Sequence, residues 1–481
     1  MINTTNQKID MKNGSKITII CSSVDQASRN IKDHMLTLNN WQQIKNPKEL
    51  ENFGVSSIYE SGSFRIVELD MHHTQSDGID KNLDEYGFPS YLLIFASKHR
   101  SKDEYKLLTA HFTGNTGTAD YGGNPKQLAV AAPYAMRTIL TEIKKQSENL
   151  DYDVSMEATH HGPSELKTPS VYVEIGSTQR QWKDFEPGRI IANAILSVDF
   201  DKCKHCPVAL GFGGGHYAKR QSKLLFETYT TFGHIIPDYQ LENVDMDIVS
   251  QAINKSSSDF VYFDRKSMST KERNRIMDIV KSLQIDVLRE SDIREMDEVP
   301  WQFFKRLYDK TMNLCPDSNL KLTDRFKKRL KTINTSDLTV EAAIIDDNLL
   351  KETEKISRKQ IIEFLQNQEI AYLENANSTL ANVILGVDRQ EVKTIANNLV
   401  KQCINFIEKN HEIEHSPEGN ILYIVNKRFN PELARKMGVS EGPKFGKLAN
   451  GQSVNVNGKQ IEPESVHEVN RKSINLNAMI T

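Results

Sequence analysis

"PVALGFGGGHYAKRQSKLLFETYTTF", Pro207 to Phe232, passes from a short apolar strand pattern through four glycines into a helical pattern. Strand, loop, helix is the unit from which α/β folds are assembled. The same grammar runs upstream. Ser15–Asp25 reads as an opening strand, with Ile17 to Cys21 as a nearly continuous apolar run, and strands follow at 62–70, 91–99 and 105–114. "NPKQLAVAAPYAMRTILTEIKKQ" reads as a helix capped by Asn124 with Pro125 in its first turn, in which Pro133 must produce a kink or delay the start. "VSMEATHH" and "SVYVEIGS" read as strands and "PGRIIANAILSV" as a helix. "DFVYFDRK" (259–266) closes the strand series, and Ser269 with Glu272 forms a capping box. The expected fold is α/β, a mixed and mostly parallel sheet flanked by helices.

After about residue 290 the pattern changes. Glycine nearly vanishes between Arg289 and Ala381, and charged helical patterns dominate, among them a helix opening at Asp388 with Val392, Ile395, Leu399, Cys403 and Phe406 facing inward. The pattern divides the chain into an α/β domain (1–290), a mainly helical extension (291–410) and a polar, glycine-punctuated tail (411–481) whose last fifteen residues are expected to be disordered. With 481 residues, several domains are expected. A net charge of −3 argues against a strongly basic nucleic-acid coat but leaves room for a local basic face. No window approaches eighteen apolar residues and the polar N-terminus lacks a signal-peptide core, so no membrane association is expected. Five cysteines without a framework pattern fit a reducing, cytoplasmic setting.

Nine of the thirteen histidines fall between His72 and His234. His72-His73, His111, His160-His161 and His216 each stand at the end of a predicted strand, where open α/β sheets build their sites. "MEATHHGP" (156–163) adds Glu157 beside the two adjacent histidines. As a strand it would put Glu157, Thr159 and His161 on one face and His160 on the other, unless the pleat breaks at the strand end and lets both imidazoles reach a common point. As a helix it would put Glu157, His160 and His161 on one face. "HFTGNTGTADYGGNPK" offers Thr113, Gly114 and Asn115 in a glycine-rich, anion-friendly loop that matches no nucleotide fingerprint. In "GFGGGHYAKR", Gly213, Gly214 and Gly215 would let a ligand approach the backbone. Lys219 and Arg220 oppose the dipole of the helix they open, which suits an anionic substrate. "CKHC" (203–206) resembles half a zinc site without a second half. With no nucleophile elbow and no catalytic cysteine signature, histidines and carboxylates together favour metal-assisted hydrolysis.

These motifs, "HFTGN", "EATHHGP", "PSVYVEIGST", "WKD" and "GFGGGHYA", together resemble the archaeal and plant D-aminoacyl-tRNA deacylases over residues 15–290. The resemblance implies a phosphorylase/hydrolase-like fold, Zn2+ as cofactor, D-aminoacyl-tRNA as substrate, and a role in translation quality control and D-amino acid detoxification. Carried over by motif, it points to His160, His161 and His216 as metal ligands and to Glu157, His111 and Glu174 as catalytic residues, with Glu157 as the base. The tail, with Gly442-Pro443, Gly446-Lys447-Leu448 and Gly451, is similar to a segment of ribonuclease Z enzymes and suggests a tRNA-handling module. A monomer is expected. The alternatives are a non-catalytic tRNA-binding protein and a phosphorylase or amidase acting on a small molecule.

Overall fold

A computed structural model of the chain describes residues 14–199, 206–477 and 479–480. It divides into two compact units, Met1–Asp297 and Glu298–Thr481. The main sheet of the first unit has eight strands in the order Gln42–Ile44, Val55–Ser61, Phe64–Leu69, Lys16–Ser22, Ser90–Lys98, Ser170–Gly176, Leu107–His111, Asp153–Met156. The four strands from Phe64–Leu69 to Ser170–Gly176 are parallel. Strands buried on both faces read as continuous apolar runs, which is why Ile17 and Ile19 to Cys21 are all inaccessible to solvent. Beyond them the direction reverses: Leu107–His111 is antiparallel to Ser170–Gly176, and Asp153–Met156 runs parallel to Leu107–His111.

The helices Gln26–Leu38, Pro133–Gln146 and Phe185–Leu196 pack together beside this sheet. A second sheet, Thr231–Ile236, Val208–Phe212, Phe260–Phe263 and Asp286–Leu288, is wholly parallel. It packs on the helices Met246–Ser256 and Thr270–Ser282 around Leu210, Phe212, Ile236, Val261 and Phe263. The stretch Pro207–Phe232 thus supplies a central strand, the helix Lys219–Glu227 and the start of the next strand. The Ser269–Glu272 capping box is formed.

Two local readings are corrected. The helix expected from Asn124 begins at Pro133. The preceding backbone is held extended: Gln127–Leu128 pairs with Gly114–Asn115, and the N–H groups of Ala129 to Ala132 bond to carbonyls of Thr113, Leu166, Lys255 and Ser170. Pro133, with φ already fixed, sits at the first turn instead of kinking a longer helix. The strand expected through "VSMEATHH" stops at Met156. Glu157 N–H still bonds the Ala110 carbonyl, but Ala158 N–H turns to His216 and Thr159 N–H to Ile235, so the chain leaves the sheet.

In the second unit, helices make up most of residues 298–410, principally Trp301–Leu314, Asp324–Thr332, Asp347–Gln366 and Arg389–Asn410. Four short strands unforeseen in the sequence join Met479–Ile480 in an antiparallel sheet: Asn319–Leu322, Ala371–Glu374, Leu380–Gly386 and Glu341–Ile344. Asp388 caps its helix, whose Val392, Leu399 and Cys403 are buried while Ile395 and Phe406 are only partly covered. Residues 411–475 include a three-stranded sheet, Glu412–His415, Ile421–Phe429 and His467–Asn475, whose Leu422, Ile424 and Ile474 join the core formed by residues 343–407. The Gly442–Gly451 motif lies in a small satellite core: Pro443 opens the helix Pro443–Ala449, and Leu448 is buried against Ala434, Val439 and Ile461.

Candidate metal centre

The reversal of strand direction beside Ser170–Gly176 builds the site. Because Leu107–His111 and Asp153–Met156 run against their parallel neighbours, the histidines do not share one carboxyl edge of the sheet. They meet over its face instead. Tyr172 is in register with His111, and Glu174 with Thr109 and Ser97, so Glu174 projects from mid-strand between the ends of two oppositely directed neighbours. His99, just past Ser90–Lys98, has Nδ1 3.7 Å from Glu174 Oε2, and His111 has Nε2 3.7 Å from the same oxygen.

The loop after Met156 adds the rest. His99 Nδ1 stands 3.0 Å from Glu157 Oε1, and His216 Nε2 2.9 Å from Glu157 Oε2, with His160 Nε2 at 3.6 Å. These contacts lie away from the directions of true hydrogen bonds, for both Glu157 oxygens remain buried without a hydrogen-bond partner. His161 sits in the left-handed region at φ 42°, a conformation that costs a residue with a Cβ and is retained where the surroundings over-determine it. With the pleat already ended at Met156, Glu157 and His160 face the same cluster while Thr159 turns away to His234. Gly162 is required for this path, because a Cβ there would lie 2.3 Å from the Gly123 nitrogen.

Three imidazoles are oriented alike. Nδ1 of His111 donates to the Phe112 carbonyl (3.2 Å), that of His160 to Ala158 (2.7 Å) and that of His161 to Gly162 (2.6 Å). A proton held on Nδ1 leaves the Nε2 lone pair free, and a backbone carbonyl behind each ring is how ligating histidines are aimed. The ligand atoms of His111, His160 and His161 lie within 4.8 Å of one another, as do those of His99, Glu157 and His216, and those of His111, Glu157 and Glu174. His111 Nε2 is buried and without a hydrogen bond.

The electrostatics agree. Burial alone would raise the Glu157 carboxyl, but His216 and His99 hold it well below the usual carboxylate range; His111 and His99 do the same for Glu174. Burial opposes charge on His99, yet the flanking Glu157 and Glu174 push its pKa up to about 11. Burial and the neighbouring His111 depress His161 to about 4, and His160 is lowered in the same way. Burial opposes charge on His111 too, yet Glu174 and Glu157 raise its imidazole above the ordinary value, so the depressed imidazoles facing the two ionised, buried carboxylates are His160 and His161. Carboxylates and imidazoles gathered this closely form a donor set that fits a divalent cation of the zinc type, whose charge would take the place of the protons on His111 and His99.

The other expected site residues have definite places. Thr113 is buried, donates to the Pro163 carbonyl (2.6 Å) and lies beside His160, while the Gly114 N–H bonds the His161 carbonyl (2.8 Å). The Asn115 amide donates to the Gly122 and Asn124 carbonyls. Thr113 and Gly114 pin the His160-His161 loop from behind, and Asn115 holds the Gly122–Asn124 turn. Gly213 and Gly214 are buried beneath Ser267, Met268 and Gln221, and Gly215 is exposed with open space around it. Arg220 is engaged by Asp264 (3.2 Å) and Glu290 (3.1 Å); Lys219 is exposed. His73 donates to the Ile20 carbonyl away from the cluster, and His72 is exposed. In "CKHC", Cys203 and His205 lie outside the described residues, and Cys206 is buried.

The sequence reading passed over His99. Its signal was available, since it ends the strand pattern "YLLIFASKH" within the histidine-rich third of the chain. Tyr217 and Tyr239 were also missed; their hydroxyls lie 3.2 Å from His99 Nε2 and His216 Nδ1. Tyr217 follows His216 within the glycine-rich "GFGGGHYA", which was its signal; nothing in the local sequence marks Tyr239.

Among the described residues, no helix is long and apolar enough to cross a membrane. The family model of D-aminoacyl-tRNA deacylases matches residues 87–288. A D-aminoacyl-tRNA deacylase of Methanococcoides burtonii is 43% identical over 97% of this chain and 98% of its own length. One of Methanosarcina acetivorans is 53% identical over 59% of this chain and 95% of its own. Among solved structures, a conserved protein of unknown function, AF0625, superposes with a TM-score of 0.54 at 33% identity, covering 58% of this chain and 97% of that one. The chain belongs to the D-aminoacyl-tRNA deacylase family.

Proposed function

We propose that the protein hydrolyses the ester bond of D-aminoacyl-tRNA, releasing the D-amino acid and tRNA, as a zinc-dependent step of translation quality control in the cytoplasm. The observation that carries this reading is the convergence of His111, His160 and His161 Nε2 beside buried, ionised Glu157 and Glu174 in a chain of this family. His111, His160 and His161 would hold the ion, and Glu157, His216 and His99 form the adjoining cluster that handles protons. When bound, zinc polarises an ester carbonyl and makes water a better nucleophile near neutral pH.

The protein's own groups handle the protons. Water attacks the ester carbon and gives up a proton to Glu157 Oε2, the oxygen beside His216 Nε2. Glu157 hands that proton to the adjacent His216 Nε2, which delivers it to the ribose oxygen as the carbon–oxygen bond to tRNA breaks. The remaining water proton leaves the new carboxyl group for solvent, so the products depart as carboxylate and free hydroxyl and both side chains are restored. Glu174 keeps His99 and His111 in place. Chirality would be judged by clash or misplacement of the L-isomer in the pocket rather than by affinity for the D-isomer alone.

The test is deacylation of matched D- and L-aminoacyl-tRNAs with and without chelator. Hydrolysis of the D-ester alone, abolished by chelation and restored by added zinc, is expected. Equal turnover of both isomers, or indifference to the chelator, would overturn the reading.

A further inference from the structure

Charge is unevenly shared between the two units. Residues 1–297 hold 35 Lys and Arg against 40 Asp and Glu, whereas 298–481 hold 26 against 24. The excess concentrates in residues 305–331, with nine Lys and Arg against three Asp. At its centre is the helix Asp324–Thr332, capped by the Thr323 hydroxyl. Phe326 and Leu330, one turn apart, are buried, and Phe326 meets Phe303 edge-on at 6.3 Å. With that stripe fixed inward, helical spacing turns Arg325, Lys328 and Lys331 toward solvent, and all three are exposed.

Arg329, on the flank, is taken by Glu369 and Glu391, and Lys331 pairs with the exposed Glu298. Arg325 and Lys328 have no acidic partner among the described residues. Cations one helical turn apart and unmatched by acid stabilise nothing in the fold, and like charges at this spacing cost a little. The partner they suit is a polyanion. Membrane surface is the poorer fit, because a helix that lies in a bilayer interface must offer its apolar face, and here Phe326 and Leu330 are sealed in the core.

We propose that the outer face of Asp324–Thr332, centred on Arg325 and Lys328 with Lys331 at its edge, is an RNA-backbone docking surface that holds the tRNA by its phosphates. The proposal rests on the tRNA reading of the first unit. It also accounts for the second unit as an addition: the Methanosarcina acetivorans relative, matched over 288 residues and 95% of its length, is too short to contain both units yet bears the same name. The added face therefore contributes grip, not chemistry.

The experiment uses the full chain and its Arg325→Glu/Lys328→Glu variant, with Arg325→Gln/Lys328→Gln as a milder second. Binding of uncharged tRNA is followed by fluorescence anisotropy from 50 to 200 mM salt, and deacylation kinetics are measured alongside. The charge-reversed protein should bind tRNA about tenfold or more weakly, with a salt slope shallower by about 2, roughly one per lost phosphate contact. KM should rise in step while kcat and the thermal transitions stay put. Unchanged affinity and slope in both variants would overturn the proposal, as would parent protein that binds phosphatidylserine vesicles but not tRNA. If the parent binds tRNA through this face yet cleaves no D-ester, the functional reading fails and the docking surface stands. If it cleaves the ester and the variants bind as the parent does, the reverse holds.

Discussion

Both units carry exposed ion pairs, Lys126–Asp245 in the first among them, but they differ in the charge they bury together. In the second, ion pairs such as Arg471–Glu414, Lys427–Glu412 and Arg435–Glu441 lie about half exposed, where a pair contributes roughly 0–1 kcal/mol. In the first, Glu157, Glu174, His99 and His111 are buried together. Removing such groups from water costs several kcal/mol apiece before any attraction offsets it. A fold that needed only stability would fill that volume with apolar side chains. Buried charge with lone pairs left unused is therefore the mark of a site, whereas the same residue types on the second unit's surface are solvated groups or docking charges.

The comparison is broken most sharply by removing one imidazole from each unit. His111→Ala should abolish retained zinc and reduce D-aminoacyl-tRNA hydrolysis by more than the roughly 10–100-fold that losing a supporting hydrogen bond costs a metal site. His415→Ala, which removes only an exposed contact to Glu408, should leave both metal content and rate within about twofold. Metal analysis beside kinetics decides the matter, and equal effects would end the distinction between the units.

A smaller effect should appear with acid. His234 is buried and neutral, accepting from the Thr159 hydroxyl and donating to the Ala129 carbonyl, and burial depresses its pKa to about 4. The unfolded chain would protonate this residue near pH 6.5, so its contribution to stability is whole above that pH. It is lost as pH falls from about 6.5 to about 4, by about 3 kcal/mol in all. Denaturant titrations of the parent and His234→Gln should show that segment of the pH profile flattened in the variant. An identical slope in both would remove His234 as the cause.

The least effect is expected at the rim. Tyr217→Phe deletes the hydroxyl 3.2 Å from His99 Nε2, and should lower kcat by a few-fold, about tenfold at most, with zinc content unchanged. Loss of metal in that variant would mean that the tyrosine supports the whole donor set and not His99 alone.

Much of this was legible along the chain. The alternation of strands and helices, the Ser269–Glu272 box and the Asp388 cap are written in neighbouring residues, because caps and periodicity are local physics. The histidine concentration marked the region in which the structure gathers its His/Glu cluster, and "MEATHHGP" marked one loop of it. What failed was local pattern overruled from a distance: the helical spacing before Pro133 yielded to four backbone bonds from remote segments. The strand alternation through Glu157 yielded to bonds from His216 and Ile235. The four strands Asn319–Leu322, Glu341–Ile344, Ala371–Glu374 and Leu380–Gly386 are only four or seven residues long amid strong helical patterns, too short for their periodicity to stand out.

The sequence alone determined the α/β class, the histidines and carboxylates of the candidate site and the family resemblance. Tertiary structure decided which of those residues meet. His99 joins Glu157 and Glu174 from 58 and 75 positions away only because the strand carrying it lies next to Ser170–Gly176. Arg220, read as an anion ligand, found Asp264 and Glu290 instead. Spacing fixes which side chains share a face of one element. Which faces then confront each other depends on strand order and direction, and those are set by the packing of the whole sheet.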